Sequence, residues 1–228
     1  MPRTYLKLAA VVLAAGIAAA ACGSVKLGAA AIIGNQRVSA ASLNAQVASL
    51  SAGYQQYKDK VQIPYSTSQL PQQALAWMVR FQVRDQLATR YGINVTPTQE
   101  QQAQQGISAE IAQQGGGVTV AEAAVASGLP PDMLSNLYQY EAIENALLDR
   151  FDHNKLPSAS SAQQDLVNQF NLSECRAAKS LNIQINPQYG TLDYSDFSIV
   201  PASTTLSKAA SPAPSASASS KPELTPPC

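Results

Sequence analysis

Apolar residues recur at helical spacing through the middle of the chain, and this periodicity constrains the fold more than any other feature. In residues 43–61 and 75–91 an apolar side chain returns every three or four positions, which places these side chains on one face of a helix. Residues 133–151 keep the same period. Each such helix must bury its apolar face against a neighbour. The sequence therefore predicts a mainly α-helical domain.

Residues that start and stop helices set the limits of six predicted helices. One helix start is well marked: Thr96 suits the N-cap, Pro97 the first helical position, and Gln99 completes a capping box with Thr96. Ser39 and Thr119 are further candidate N-caps. The predicted helices run from Ser39 to before Pro64, from about Gln69 to Tyr91, from Pro97 to before Gly115, from Val120 to Ser127, from Pro131 to Phe151 and from Ala162 to Phe170.

Short stretches at both ends of the helical region have the pattern of strands. Residues 29–38 hold two apolar runs around Gly34 and Asn35, a pair that suits a tight hairpin turn. Near the other end, residues 183–185 alternate between apolar and polar, and residues 197–200 form another short apolar run. The pattern predicts a hairpin followed, after the helices, by one or two further strands.

The start of the chain has the pattern of a lipoprotein export signal. Arg3 and Lys7 are followed by 14 uncharged residues, 8–21, a length typical of a signal peptide and too short to span a bilayer as a helix. Ala19-Ala20-Ala21-Cys22 is similar to a bacterial lipobox, whose cysteine is joined to diacylglycerol and becomes the first mature residue. We predict that Cys22 anchors the protein in a membrane. An ordinary signal peptide with an incidental cysteine is the alternative.

The chain divides into four predicted segments. Residues 201–228 consist largely of Ser, Ala, Pro and Thr, and we expect them to be disordered because they bury too little apolar surface to fold. Without the signal peptide and this tail, the chain is of the size of one domain. The predicted segments are a signal peptide at 1–21, a tether at 22–29, a helical domain at 30–200 and a tail at 201–228.

The net charge and the small numbers of cysteines and histidines limit the kinds of partner and ligand that we expect. Loss of Arg3 and Lys7 with the signal leaves 13 basic residues against 15 acidic ones. We expect no nucleic-acid partner, because nucleic acids are bound through clusters of Lys and Arg. We expect no metal either, since His153 is the only histidine and lies near no cysteine. Cys175 and Cys228 either form a disulfide, which persists in exported proteins, or remain free thiols.

The order of several short motifs resembles a known family. A-I-I-G-N-Q-R-V-S is followed by two amphipathic helices, then by Y-G-I-N-V-T-P-T-Q-E and later by I-N-P-Q-Y-G-T-L-D. Together these pieces, from about Ala30 to Val200, resemble the SurA N-terminal family of exported chaperones. The resemblance implies a mostly helical domain whose N- and C-terminal segments meet in a small sheet. It also implies that the domain holds unfolded or partly folded exported polypeptides.

One part of many such relatives is missing from this sequence. They carry a parvulin prolyl isomerase domain, of roughly 100 residues with paired histidines, between the helices and the last strands. Here only residues 171–182 separate the last predicted helix from the strand at Ile183, and His153 lies upstream. A serine or cysteine nucleophile also lacks a histidine base. We therefore expect neither enzymatic activity nor a cofactor.

The predicted binding residues are aromatic and Met side chains that make the apolar face of a helix wider than packing requires. A helix needs an apolar stripe only about 100° wide, yet the second predicted helix extends this stripe with further large side chains. Such side chains contact many sequences because they make few directional demands. The candidates for an open peptide groove, with burial in the core as the alternative, are Tyr54, Tyr57, Trp77, Met78, Phe81, Tyr138 and Tyr140. We expect the carboxylates of the fifth helix, including Glu141 and Glu144, to be solvated.

These observations predict a lipid-anchored, extracytoplasmic, chaperone-like protein that binds non-native exported polypeptides without isomerase activity. The weak charge and the Ser/Ala/Pro tail look actinobacterial, which would mean an anchor in the outer leaflet of the plasma membrane, but the sequence leaves the choice of membrane open. An adaptor lipoprotein that docks one defined envelope or secretion partner is the alternative from a different class. Both need an apolar surface, so the sequence does not separate them.

Overall fold

A computed structural model describes residues 28–113, 115–152 and 160–202 of the chain. It is mainly helical with a small antiparallel β element, as predicted. Two short 3-10 turns, Thr67–Gln69 and Pro131–Met133, precede α2 and α5. The elements in chain order are β1 Ala29–Ile33, β2 Gln36–Ser39, α1 Ala40–Tyr57, α2 Leu70–Tyr91, α3 Pro97–Gln113, α4 Val120–Ala126, α5 Leu134–Asp152, α6 Ser160–Ser180, β3 Gln184–Ile185, β4 Thr191–Leu192 and β5 Ile199–Val200.

The two ends of the domain meet in one sheet. β1 lies between β2 and β3 and is antiparallel to both. Ala31 pairs with Ile185, and the Asn186 side chain donates a 3.0 Å hydrogen bond to the Ala29 carbonyl. The predicted hairpin at residues 29–38 is confirmed, and the sheet joins N- and C-terminal segments as the resemblance implied.

The three predicted N-caps are confirmed by hydrogen bonds between side chains and backbone N–H groups at the starts of the helices. Ser39 Oγ accepts from the Ser42 N–H at 2.9 Å. Gln99 Oε1 accepts from the Thr96 N–H at 2.9 Å, and Glu122 accepts in the same way from the Thr119 N–H at 2.8 Å. These contacts satisfy backbone donors that the first turn of a helix leaves unpaired.

The prediction for the last helix was wrong at its C-terminal end. α6 continues from Asn171 to Ser180, so residues 171–180 are helix and only residues 181–183 connect it to β3. The buried face of this half consists of Glu174, Cys175, Ala177 and Ala178, which are small or polar. Because large apolar residues are absent from it, the periodicity of the sequence gave no helical signal there.

Smaller differences concern the ends of α1 and the second sheet. α1 ends at Tyr57 rather than near Pro64, and residues 58–60 form a turn. β5 does not join the first sheet but pairs with β4, a strand of two residues that the sequence analysis missed. The tail from residue 203 onward, like residues 1–27, lies outside the described residues.

α2 is the central helix of the domain. It packs against α1, α5 and α6 as well as against β1 and β5. Most of its predicted apolar stripe is fully buried: Leu75, Val79, Val83 and Leu87 each expose 0% of their surface, and Tyr91 is half-buried. Of the described helices, none is both long and apolar enough to cross a bilayer.

Arg84 interrupts this buried stripe with a charge. It is 1% exposed, and its Nε and Nη2 lie 3.0 and 2.9 Å from Oε1 of Glu174 on α6. Its Nη1 lies 2.8 Å from Oε2 of Glu144 on α5. The guanidinium also lies 3.7 Å from the centre of the Tyr140 ring. Glu144, expected to be solvated, is instead part of an ion network that joins three helices.

The electrostatic balance at Arg84 favours its charged form. Burial alone lowers the pKa of the guanidinium, but Tyr140, Glu174 and Glu144 outweigh it and raise the pKa above the usual value. A buried charge of this kind is tolerated only when it is paired and hydrogen-bonded.

We expect Arg84→Ala to destabilise the domain by about 3 kcal/mol or more, because it leaves the buried Glu174 carboxylate without a partner. Urea unfolding followed by circular dichroism measures the change. The double variant Arg84→Met/Glu174→Leu is the control, since removing both charges restores most of the loss. An Arg84→Ala variant as stable as the wild type would show that the network contributes little.

Gly53 allows α1 to pack closely against α4 and the turn before α5. A Cβ on Gly53 would lie 2.7 Å from Cγ2 of Val125 and 3.0 Å from Cγ of Pro131. Gly106 in α3 is the matched case, because a Cβ there meets nothing within 4 Å. We expect Gly53→Ala to cost about 1–3 kcal/mol through overpacking. Gly106→Ala should stabilise by about 0.5–1 kcal/mol, and equal changes in the two unfolding midpoints would contradict the close packing.

Candidate functional site

Three of the predicted binding residues form one aromatic cluster, which we define as Trp77, Phe81 and Tyr140. The ring centres lie 5.6 Å apart for Trp77 and Phe81, 5.7 Å for Phe81 and Tyr140, and 6.2 Å for Trp77 and Tyr140. Both contacts of Tyr140 are edge-to-face, an arrangement that aromatic rings prefer. α2 supplies Trp77 and Phe81 one turn apart, and α5 supplies Tyr140.

Two arginines and one backbone carbonyl hold the cluster in place. The guanidinium carbon of Arg80 lies 4.8 Å from the Trp77 ring centre, and Arg84 stacks on Tyr140. Trp77 Nε1 donates a 3.1 Å hydrogen bond to the Ser127 carbonyl. Burial raises the pKa of the Tyr140 hydroxyl, so that this ring stays neutral. The cluster is therefore an ordered surface and not a set of free side chains.

The prediction that Phe81 lines an open groove was wrong. Phe81 is 5% exposed, because Ala124, Leu129 and Met133 from α4 and the following turn cover it. Trp77 and Tyr140 are half-buried, so each still presents part of its ring at the surface. Met78, also half-buried, packs between this group and the main core. The side chains form a closed patch with two partly accessible rings, in place of the predicted open groove.

The remaining predicted tyrosines do not join the cluster. Tyr54 and Tyr57 at the end of α1 are half-buried against the main core, and the Tyr54 ring centre lies 6.0 Å from that of Tyr65. The Tyr65 hydroxyl donates a hydrogen bond to the Val125 carbonyl, and burial raises its pKa to about 12. Tyr138 is half-buried on α5. The structure thus separates the seven predicted residues into at least two groups.

A cleft lies between α2, α5 and the loop that leads into α3; we call it the α2–α5 cleft. Its volume is about 310 Å³. It combines one carboxylate and three uncharged polar side chains with apolar walls. The lining residues are Asp85, Ala88, Thr89, Ile93, Asn94, Val95, Gln139 and Ile143. A smaller, mostly apolar cavity of about 90 Å³ lies beside the sheet between β1 and β3.

Asp85 is the charged group of this cleft. Its side chain is half-buried, and burial raises the pKa of the carboxyl group. Within the described parts of the chain the carboxylate makes no ion pair and no hydrogen bond, and only its backbone carbonyl accepts a bond, from the Thr89 hydroxyl at 2.9 Å. The cleft thus holds a carboxylate for which the described residues supply no counter-ion.

The sequence analysis missed Asp85, although a signal was present. Met78, Phe81, Asp85 and Ala88 are spaced by three or four residues, so they lie along one side of α2. A carboxylate within an otherwise apolar stripe is unusual, because burial of an unpaired charge is costly. That contrast marks the position as a candidate site.

Cys175 is buried and disulfide-bonded. The other two cysteines of the sequence, Cys22 and Cys228, lie outside the described residues, as does His153. Over the described ranges, no group of three His, Cys, Asp or Glu side chains is placed to hold a metal ion.

Comparisons with known proteins found no match: not among protein-family models, not among curated proteins and not among solved structures.

The raised pKa of Asp85 gives the stability of the domain a defined pH dependence. The folded state holds the Asp85 proton more tightly than the unfolded state, so this residue's contribution to stability falls as pH rises through the folded-state pKa. We expect Asp85→Asn to be more stable than the wild type at pH 7, with the difference shrinking toward pH 4. Urea midpoints at several pH values measure it, with the exposed Asp59→Asn as control. A less stable Asp85→Asn at pH 7 would contradict the assignment.

Proposed function

We propose that this protein is a lipid-anchored, extracytoplasmic, chaperone-like module that binds non-native exported polypeptides and makes or breaks no covalent bond. The pairing of β1 with β3 carries this proposal. The resemblance to the SurA N-terminal family depended on short motifs at the two ends of the domain. That these ends meet in one sheet around a helical body supports the reading of them as parts of one module.

The connection between α6 and β3 supports binding without isomerisation. In many members of the resembled family the catalytic domain is inserted between the helices and the last strands. Here residues 181–183 join α6 directly to β3, and Leu181 accepts a 2.7 Å backbone hydrogen bond from Gly34 in the β1–β2 turn. The junction is thus packed into the fold.

The binding surface we propose comprises the accessible sides of Trp77 and Tyr140 together with the α2–α5 cleft. Both are built on α2 and α5, which the bond between Arg84 and Glu144 joins. Burial of apolar surface contributes about 25 cal/mol per Å², and large rings gain it from many sequences. Such a surface suits weak binding of diverse extended segments.

The proposal includes a lipid anchor near the N-terminus of the protein. The described fold begins at Gly28, close to the lipobox cysteine Cys22. Two or more acyl chains hold a protein stably at a bilayer, whereas one chain binds only reversibly. Metabolic labelling with a fatty-acid analogue tests the anchor, and Cys22→Ser is expected to abolish the label.

We expect the mature chain with Cys22→Ser to suppress aggregation of unfolded clients at stoichiometric ratios, because it shields their apolar segments. Light scattering of several unrelated clients measures the effect. Trp77→Ala should weaken suppression several-fold, whereas Val167→Ala, which truncates an apolar residue that is 41% exposed on α6, is the matched control. Failure with all clients would contradict the proposal. A single stoichiometric partner in pull-downs would favour the adaptor alternative.

A further inference from the structure

We propose that the α2–α5 cleft binds a basic side chain, Lys or Arg, of the bound polypeptide, with the Asp85 carboxylate as its counter-ion. The inference rests on the proposed function and deepens it, because it adds a preference for one residue type to an otherwise permissive apolar surface.

The charged residues of α2 provide the first support for this site. α2 contains three arginines and one acidic residue, Asp85. The fold engages each arginine elsewhere: Arg80 donates to the Asp196 carbonyl at 2.9 Å, Arg84 pairs with two glutamates, and Arg90 donates to Ser180 Oγ at 2.8 Å. The negative charge of Asp85 is thus left for a cation that the described chain does not supply.

The walls of the cleft match the rest of a basic side chain. Lys and Arg bury a long apolar stem while their charged head seeks polar partners. Ile93 and Val95, half-buried in the loop before α3, give the cleft apolar surface that suits such a stem. The amide oxygens of Asn94 and Gln139 accept hydrogen bonds from an ammonium or guanidinium group. Asp85 provides a charge-assisted bond, which is stronger than a neutral one.

The size of the cleft limits its occupant. A volume of about 310 Å³ is at the lower end of the range for small-ligand pockets, roughly 300–1,000 Å³. It admits one side chain, not a helix or a folded partner. The aromatic cluster stands on the same two helices, so a peptide that places a basic residue in the cleft can place apolar neighbours against Trp77 and Tyr140.

The experiment compares matched peptides on the full mature chain carrying Cys22→Ser. Three fluorescein-labelled peptides share one apolar sequence and differ only at a central Lys, norleucine or Glu; anisotropy gives their dissociation constants. We expect the wild type to bind the Lys peptide about tenfold more tightly than the norleucine peptide, as for one charge-assisted bond. The Glu peptide should bind most weakly.

Asp85→Asn is the decisive variant, because it keeps the shape of the side chain and removes its charge. It should bind the Lys and norleucine peptides equally within about twofold, because the charge that favours Lys is gone. Asp59→Asn, an exposed acid outside the cleft, should keep the full Lys preference. Circular dichroism verifies that both variants fold, and Asp85→Lys, which should reverse the preference toward Glu, gives a second test.

The outcomes separate the two proposals. If wild type shows no Lys preference, or if Asp85→Asn keeps it, the assignment of the cleft is overturned, even where clients are still protected from aggregation. If none of the peptides binds and clients aggregate unprotected, the proposed function itself fails. A Lys preference lost in Asp85→Asn and kept in Asp59→Asn supports the site.

Discussion

The ion network of Arg84 is the constraint on which the arrangement of α2, α5 and α6 depends. One guanidinium, 1% exposed, reaches a carboxylate on each of the other two helices and stacks on Tyr140. Apolar packing is tolerant of small shifts, but a buried ion pair is stable only in good geometry. The network therefore links the positions of α5 and α6 to that of α2, the helix that carries both part of the aromatic cluster and part of the α2–α5 cleft.

The sequence predicted the helices whose buried faces are made of large apolar residues. α2 and α5 follow the predicted limits within a few residues, and the caps at Ser39, Thr96 and Thr119 place the starts of α1, α3 and α4. The second half of α6 escaped prediction because its buried face is small and polar. Arg84 escaped because its partners are 60 and 90 residues away in sequence, a separation that no local pattern encodes.

The candidate site could be predicted only in part for the same reason. The excess of large apolar side chains on α2 predicted a groove wall, whereas the structure brings Trp77 and Phe81 together with Tyr140 in a cluster. The sequence could not tell which ring is covered, since the cover of Phe81 comes from α4 and a proline-containing turn. The position of Asp85 in a cleft could not be predicted either, because the cleft depends on the loop before α3. Residues 93–95 of that loop close one side of it.

The central position of β1 has a consequence for how the protein stands on its membrane. With Cys22 lipidated as proposed, the seven residues from Cys22 to Gly28 span at most about 25 Å. The start of β1 at Ala29 would then stay within about that distance of the lipid headgroups. A domain with so short a tether would stay next to the bilayer surface.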